Sequence, residues 1–168
     1  HIMGKLLLSK CTELQKLELL HCTLDDDALD LLECNCLEYI RLVYVTIKGK
    51  LLLSKCTYLK YLKLNICTAD ESTLDLSESN CLEYIKLLNM TRVKLLLSKC
   101  TYLKYLNLNH CTLDDVVLDL SESNCLEYVS LIDVNMKGKL LLSKCTHLKY
   151  LKLNDCRLAD ATLDLSES

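Results

Sequence analysis

The residue through which this sequence could most readily do chemistry is cysteine, which fills 12 of its 168 positions. A thiol becomes a nucleophile when a base or cation stands beside it, and His21-Cys22 and His110-Cys111 supply such a neighbour. Adjacent residues near a strand end point to opposite faces, however. Each imidazole is therefore expected in solvent, each thiol in the core, and no catalysis from either pair. A zinc site needs ligands spaced like C-x₂₋₄-C with a second pair nearby. Cys34-x-Cys36 has the wrong spacing and no matching His. With only Gly4, Gly49 and Gly138 in the chain, there is no glycine-rich phosphate loop and no Gly-x-Ser-x-Gly elbow. The acidic run Asp25-Asp26-Asp27 reads as solvated charge rather than as calcium ligands. No enzyme, cofactor or metal is expected.

The elements that carry these residues are set by an unusual composition. Leucine supplies 44 residues, whereas Pro, Phe and Trp are absent. At 51% hydrophobic and 26% charged residues, the chain is expected to fold as one compact domain. The longest leucine runs are three residues, far short of the roughly 18 apolar residues of a membrane span, and no signal-peptide core follows the N-terminus. Twenty basic and 23 acidic side chains are mixed along the chain, with a net charge of −3, so no footprint for nucleic acid or an anionic membrane is present.

Self-similarity organises the rest. Lys-Leu-Leu-Leu-Ser-Lys-Cys begins at Lys5, Lys50, Lys94 and Lys139, and each long unit holds two shorter ones. Units of the form L-x-x-L-x-L-x-x-C, with an apolar residue sometimes replacing Cys, open at Leu14, Leu37, Leu59, Leu82, Leu103, Leu126 and Leu148. The sequence thus resembles the leucine-rich repeat family, as Leu59-x-x-Leu62-x-Leu64-x-x-Cys67 and Leu103-x-x-Leu106-x-Leu108-x-x-Cys111 illustrate. The resemblance implies an α/β solenoid: a curved parallel β-sheet on the concave side, and short helices or turns on the convex side. Alternation in Tyr61-Leu62-Lys63-Leu64-Asn65 independently suits a strand with its leucines inward. One repeat is short, and Arg92 falls where the others carry Leu24, Ile47, Ala69, Leu113, Met136 or Leu158. An unpaired buried Arg is too costly, so Val93 is expected to fill the gap and Arg92 to reach solvent.

The cysteines fall into repeat columns, which favours architecture over a special site. Cys22, Cys67, Cys111 and Cys156 alternate with Val45, Met90 and Val134. At about 4.8 Å per strand these thiols stand roughly 9.6 Å apart, beyond the approximate 7 Å reach of a disulfide. Cys11, Cys34, Cys56, Cys100 and Cys145 share a second column with Ser79 and Ser123, and there a bridge among Cys11, Cys34 and Cys56 is geometrically conceivable. Cys36, Cys81 and Cys125 form a third, alternating with Tyr58, Tyr102 and His147. Reduced thiols throughout, and hence a cytoplasmic location, are expected.

Binding, if present, belongs to the outward side of the sheet. Its first column, Gln15, Glu38, Lys60, Glu83, Lys104, Glu127 and Lys149, sets opposite charges side by side and reads as structural. The next holds Lys16 and then Tyr39, Tyr61, Tyr84, Tyr105, Tyr128 and Tyr150, side chains suited both to supporting a sheet and to contacting a partner. Arg41, Lys63 and Lys86, flanked by Tyr39, Tyr61 and Tyr84, would favour an acidic peptide or protein surface.

Repeats are nearly interchangeable: Leu74 to Tyr84 and Leu118 to Tyr128 are the same eleven residues. Residues 1–4 read as a cloning remnant and 5–168 as a single seven-repeat domain. Two functional readings follow, a non-catalytic protein-interaction scaffold using the concave face, or an engineered repeat protein with no native ligand. In the second reading the uncapped terminal repeats self-associate.

Overall fold

The computed structural model describes residues 2–4, 8, 10–25, 28–31, 33–69, 73–114, 117–136, 138–158 and 163–164. Its strands are β1 (Ile2–Gly4), β2 (Lys16–Leu24), β3 (Ala28–Asp30), β4 (Tyr39–Ile47), β5 (Lys50–Leu52), β6 (Tyr61–Thr68), β7 (Thr73–Asp75) and β8 (Tyr84–Leu88). They continue with β9 (Lys94–Leu96), β10 (Tyr105–Leu113), β11 (Leu118–Asp119), β12 (Tyr128–Met136), β13 (Leu140–Leu141), β14 (Tyr150–Asn154), β15 (Arg157–Leu158) and β16 (Leu163–Asp164).

Alternate strands build one parallel sheet in the order β1-β2-β4-β6-β8-β10-β12-β14, with β15 beside β12. The repeat spacing sets its register: Leu62 pairs with Ile40 on one side and Ile85 on the other, and Leu64 with Leu42 and Leu87. Within β6 the leucines at 62 and 64 are fully buried, whereas Tyr61, Lys63 and Asn65 are half-buried on the outward side. Each such leucine contributes on the order of 1.5–3 kcal/mol when covered, and the neighbouring repeats are what covers it.

Opposite this sheet the expected short helices are replaced. Among the described residues there is no helix, and the return side is made of short parallel ladders: β3 with β5, β7 with β9, and β11 with β13 and β16. The local pattern explains the difference. In Leu74-Asp75-Leu76 both leucines are buried and the aspartate lies between them, which is the period of a strand. A double turn then leads into the next long strand. Cys56 N–H donates to Leu53 O at 2.9 Å and Leu59 N–H to Cys56 O at 3.2 Å, and the same pair of bonds recurs around Cys11, Cys34, Ser79, Cys100, Ser123 and Cys145. With the connection divided between a short strand and two turns, no stretch among the described residues is long enough for a helix.

The corner after each outward strand depends on one backbone conformation. His21, Tyr44, Ile66, Asn89, His110, Asp133 and Asp155 all have φ between 50° and 54°, in the left-handed region. The ladder passes over this column, pairing Leu20 with Val43 and then Cys22 with Val45. Two successive residues consequently face outward, Asn65 and Ile66, before Cys67 turns into the core. Asn, Asp and His tolerate positive φ comparatively well, whereas a β-branched residue there is a strained exception. In the short repeat, Arg92 takes a positive φ of 56°. Val93 is fully buried and bridges Leu113, and Arg92 reaches solvent with Nε 3.6 Å from Asp114 Oδ2.

Replacing Ile66 with Asn should therefore raise stability by about 1 kcal/mol, an increase of about 2–4 °C in Tm for a domain of this size. The reciprocal Asn89→Ile should lower it by a similar amount. Calorimetry of the two variants checks this, and an unchanged Tm in both would contradict the strain.

Candidate functional site

The outward face brings the residues singled out from sequence into two neighbouring rows. Tyr39, Tyr61, Tyr84, Tyr105, Tyr128 and Tyr150 stack in one uninterrupted series, with ring centroids 4.3–4.5 Å apart and planes inclined by 2–9°. Lys16 closes one end, its Nζ 4.7 Å from the Tyr39 ring centroid. Burial, followed by the neighbouring tyrosines, pushes the Tyr84 hydroxyl well above the ordinary phenol range, and burial raises Tyr61 and Tyr128 as well. Tyr61, Tyr84 and Tyr128 therefore stay neutral near neutral pH.

Two residues further along the strands stand Arg41, Lys63 and Lys86, in register on β4, β6 and β8. Among the described residues no carboxylate forms an ion pair with any of the three. Glu18, the register neighbour of Arg41, is instead 3.2 Å from Lys16. Burial, then Lys86 and Arg41, lowers the Lys63 pKa from its ordinary value, so the three charges are close enough to repel. Past Lys86 two neutral residues interrupt the row before Lys152 ends it: Asn107 donates to the Tyr105 hydroxyl at 3.1 Å, and Ser130 is almost fully buried.

The charge ladder at the strand entrance forms in pairs. Lys60 meets Glu38 at 3.4 Å, Lys104 meets Glu83 at 3.4 Å and Lys149 meets Glu127 at 3.5 Å, so each lysine reaches back to the preceding repeat. All six side chains are substantially exposed, and each pair contributes only about 0.2–1 kcal/mol. The variable column His21, Tyr44, Ile66, Asn89, His110, Asp133 and Asp155, which the repeat spacing marks as a candidate recognition row, lies at the left-handed corner, a conformation that sequence reasoning missed. There His21 stacks on Tyr44 at 4.8 Å, and His110 Nδ1 lies 2.6 Å from Asp133 Oδ2. The signal was the abundance of His, Asn and Asp in that column.

The thiols are placed for packing. Cys67 Sγ donates to Leu42 O at 3.2 Å, Cys111 Sγ to Leu87 O at 3.3 Å and Cys156 Sγ to Leu131 O at 3.1 Å, each reaching a carbonyl in the preceding repeat. In the second column Ser79 donates to Cys56 O at 3.0 Å, Cys100 to Leu76 O at 3.5 Å, and Ser123 to Cys100 O at 2.9 Å. Burial pushes Cys56 and Cys100 up to about 12, with Cys34 adding to the rise at Cys56, and burial takes Cys67 and Cys145 to about 11. Such thiols carry no useful thiolate at neutral pH. Cys11, Cys34 and Cys56 are not joined by a disulfide. In His21-Cys22 and His110-Cys111 the imidazole faces solvent and the thiol the core. Asp25 pairs with Lys48, while Asp26 and Asp27 lie outside the described residues. Among the described residues no cluster of three or more His, Cys, Asp or Glu is placed to hold a metal ion, and no helix is long and apolar enough to cross a membrane.

No family profile and no curated protein matches the chain. Solved structures do. The functional domain of InlJ from Listeria monocytogenes, described as including a cysteine ladder, is 20% identical over 92% of this chain and 38% of its own, with a TM-score of 0.62. The plant peptide hormone receptor RGFR1, in complex with RGF2, is 19% identical over 92% of this chain and 30% of its own, with a TM-score of 0.56. The chain thus spans well under half the length of either neighbour. At these identities the likeness shows the fold alone, a leucine-rich-repeat type of parallel solenoid.

The thiol geometry predicts a two-class labelling pattern. With iodoacetamide at pH 8, Cys11 and Cys36, both exposed, should be alkylated in the folded protein, and Cys56, Cys67, Cys100, Cys111 and Cys145 only on unfolding. Peptide mass mapping reads the two sets, and rapid labelling of Cys100 in folded protein would contradict the assignment.

Proposed function

We propose that the chain is a non-catalytic protein-interaction scaffold that binds an acidic peptide or protein surface on the outward, concave face of its large sheet. The observation that carries this reading is the row Arg41, Lys63 and Lys86, in register, without ion-pair partners among the described residues, beside a wall of stacked tyrosines. Aligned like charges repel, and a chain that retains them gains when an acidic surface arrives. Tyrosine adds contact area at small entropic cost, with a hydroxyl able to follow a polar partner. Tyr39, Tyr61 and Tyr84 flank the cations directly, and Tyr105, Tyr128 and Tyr150 extend the same wall. The peptide hormone receptor among the structural neighbours makes peptide recognition on this fold plausible. With most of its thiols packed in the core and none joined in a disulfide among the described residues, the scaffold suits a reducing, cytoplasmic setting.

Self-association is a second reading, for a repeat protein engineered without a native ligand. Leu151 and Leu153 of β14 are 38% and 36% exposed, although the equivalent leucines of inner repeats are fully buried. Apolar positions left uncovered at a sheet edge invite a second copy.

A single titration separates the two. Calorimetry with an oligoglutamate peptide at low salt, on protein shown by light scattering to be a 19.2 kDa monomer, should show binding that weakens as salt rises. The combined R41S, K63S and K86S variant should lose about tenfold in affinity, about 1.4 kcal/mol. Oligoglutamate binding that the triple variant leaves unchanged would overturn the interaction reading, and a mass that grows with concentration would favour self-association.

A further inference from the structure

The tyrosine row also measures the shape of the surface around it. Adjacent strands of an open sheet usually turn by about 20–25° relative to one another. Here successive rings, one per strand from β4 to β14, are never inclined by more than 9° and never further apart than 4.5 Å. The rings stand slightly closer than the strand repeat of about 4.8 Å, as on the inner side of a gently curved sheet, and with so little turn from β4 to β8 the cations two residues along the same strands run nearly in line. Their attachment points repeat once per strand, about 4.8 Å, which puts the first and third about 9.6 Å apart.

A partner that satisfies all three must repeat its acids at nearly the same interval. An extended peptide presents alternate residues on one face, about 6.7 Å apart, and three of them span about 13 Å. A helix rises 1.5 Å per residue, so acids at i, i+3 and i+7 lie on one face at about 0, 4.5 and 10.5 Å. The helical spacing matches the row, and the extended spacing overshoots it by most of a strand.

The width agrees with the length. On one side of the cations stands the tyrosine wall, and two residues on the other side stand Val43, Asn65 and Leu88. These rows bound a strip about 13 Å across, on which a helix of about 10–12 Å diameter can lie along the line of cations. The strip is bounded at both ends by chemistry. Glu18 follows Arg41 at one end and would repel an acid, and Asn107 follows Lys86 at the other and offers no charge.

We infer that the partner of this face is an acidic amphipathic helix, bearing Asp or Glu at i, i+3 and i+7 and lying across β4, β6 and β8 with its flank against Tyr39, Tyr61 and Tyr84. The inference rests on the interaction reading above and narrows it from an acidic surface to one secondary structure. The lowered pKa of Lys63 is in keeping with it, because the middle cation of the three has most to gain from an aligned carboxylate.

Three fluorescent peptides of equal length and charge test it by anisotropy against the full chain at low salt. One is an alanine-based helix with three glutamates at i, i+3 and i+7. The second has the same composition with its glutamates distributed around the helix, and the third is a threonine- and valine-rich extended peptide with glutamate at alternate positions. The first should bind at least about tenfold more tightly than the other two, and Lys63→Ser should erase that preference while leaving the circular dichroism of the protein unchanged. Equal binding of all three, or tighter binding of the extended peptide, overturns the helical partner and leaves the acidic-surface reading intact. Failure of all three, together with oligoglutamate, overturns both.

Discussion

A leucine in one repeat of this protein is buried only because the next repeat lies over it. Leu64 is covered by the strands that carry Leu42 and Leu87, and the same dependence runs from strand to strand across the sheet. At the β14 edge, where Leu151 and Leu153 lack a covering strand among the described residues, identical side chains are exposed. Stability in such an array is a sum of contacts between neighbours, because no repeat can bury its apolar side alone.

Register between neighbours then determines everything outside the core. Since pairing brings like positions together, a residue type repeated in sequence becomes a row in space. Six tyrosines become a stack, alternating Glu and Lys become ion pairs, and Arg41, Lys63 and Lys86 become a line of positive charge that meets no carboxylate among the described residues. The thiol and hydroxyl columns use the same rule inside the core, where each Sγ or Oγ reaches a carbonyl of the preceding repeat and satisfies part of a buried turn. The cost of the geometry is concentrated at the corner, where seven non-glycine residues hold a left-handed conformation. Most are types that bear it with little strain, and Ile66 is the clearest exception.

Much of this was legible because repeat spacing translates directly into register. The columns of tyrosine and of paired charge could be written down from residue numbers, and so could the exchange of Val93 for Arg92 in the short repeat. The return side was legible only in part: the family resemblance implied short helices or turns, and the turns are there, but Leu74-Asp75-Leu76 and its equivalents form strands instead of helices because they alternate with the period of a strand. The corner column could be written down too, but its left-handed conformation was missed because one such residue per repeat leaves no trace in hydrophobic periodicity. Its only mark is the enrichment of Asn, Asp and His at positions 21, 89, 110, 133 and 155. Sequence columns placed the cations side by side, but the small turn from strand to strand that keeps them nearly in line came from the ring geometry.

Double-mutant cycles test the nearest-neighbour principle most directly. Leu64→Ala combined with Leu87→Ala joins two adjacent repeats, whereas Leu64→Ala combined with Leu131→Ala joins two repeats separated by others. Urea unfolding should give a coupling of about 0.5–3 kcal/mol for the adjacent pair and additivity within about 0.5 kcal/mol for the distant pair. Equal coupling at both separations would contradict an array held together by neighbour contacts.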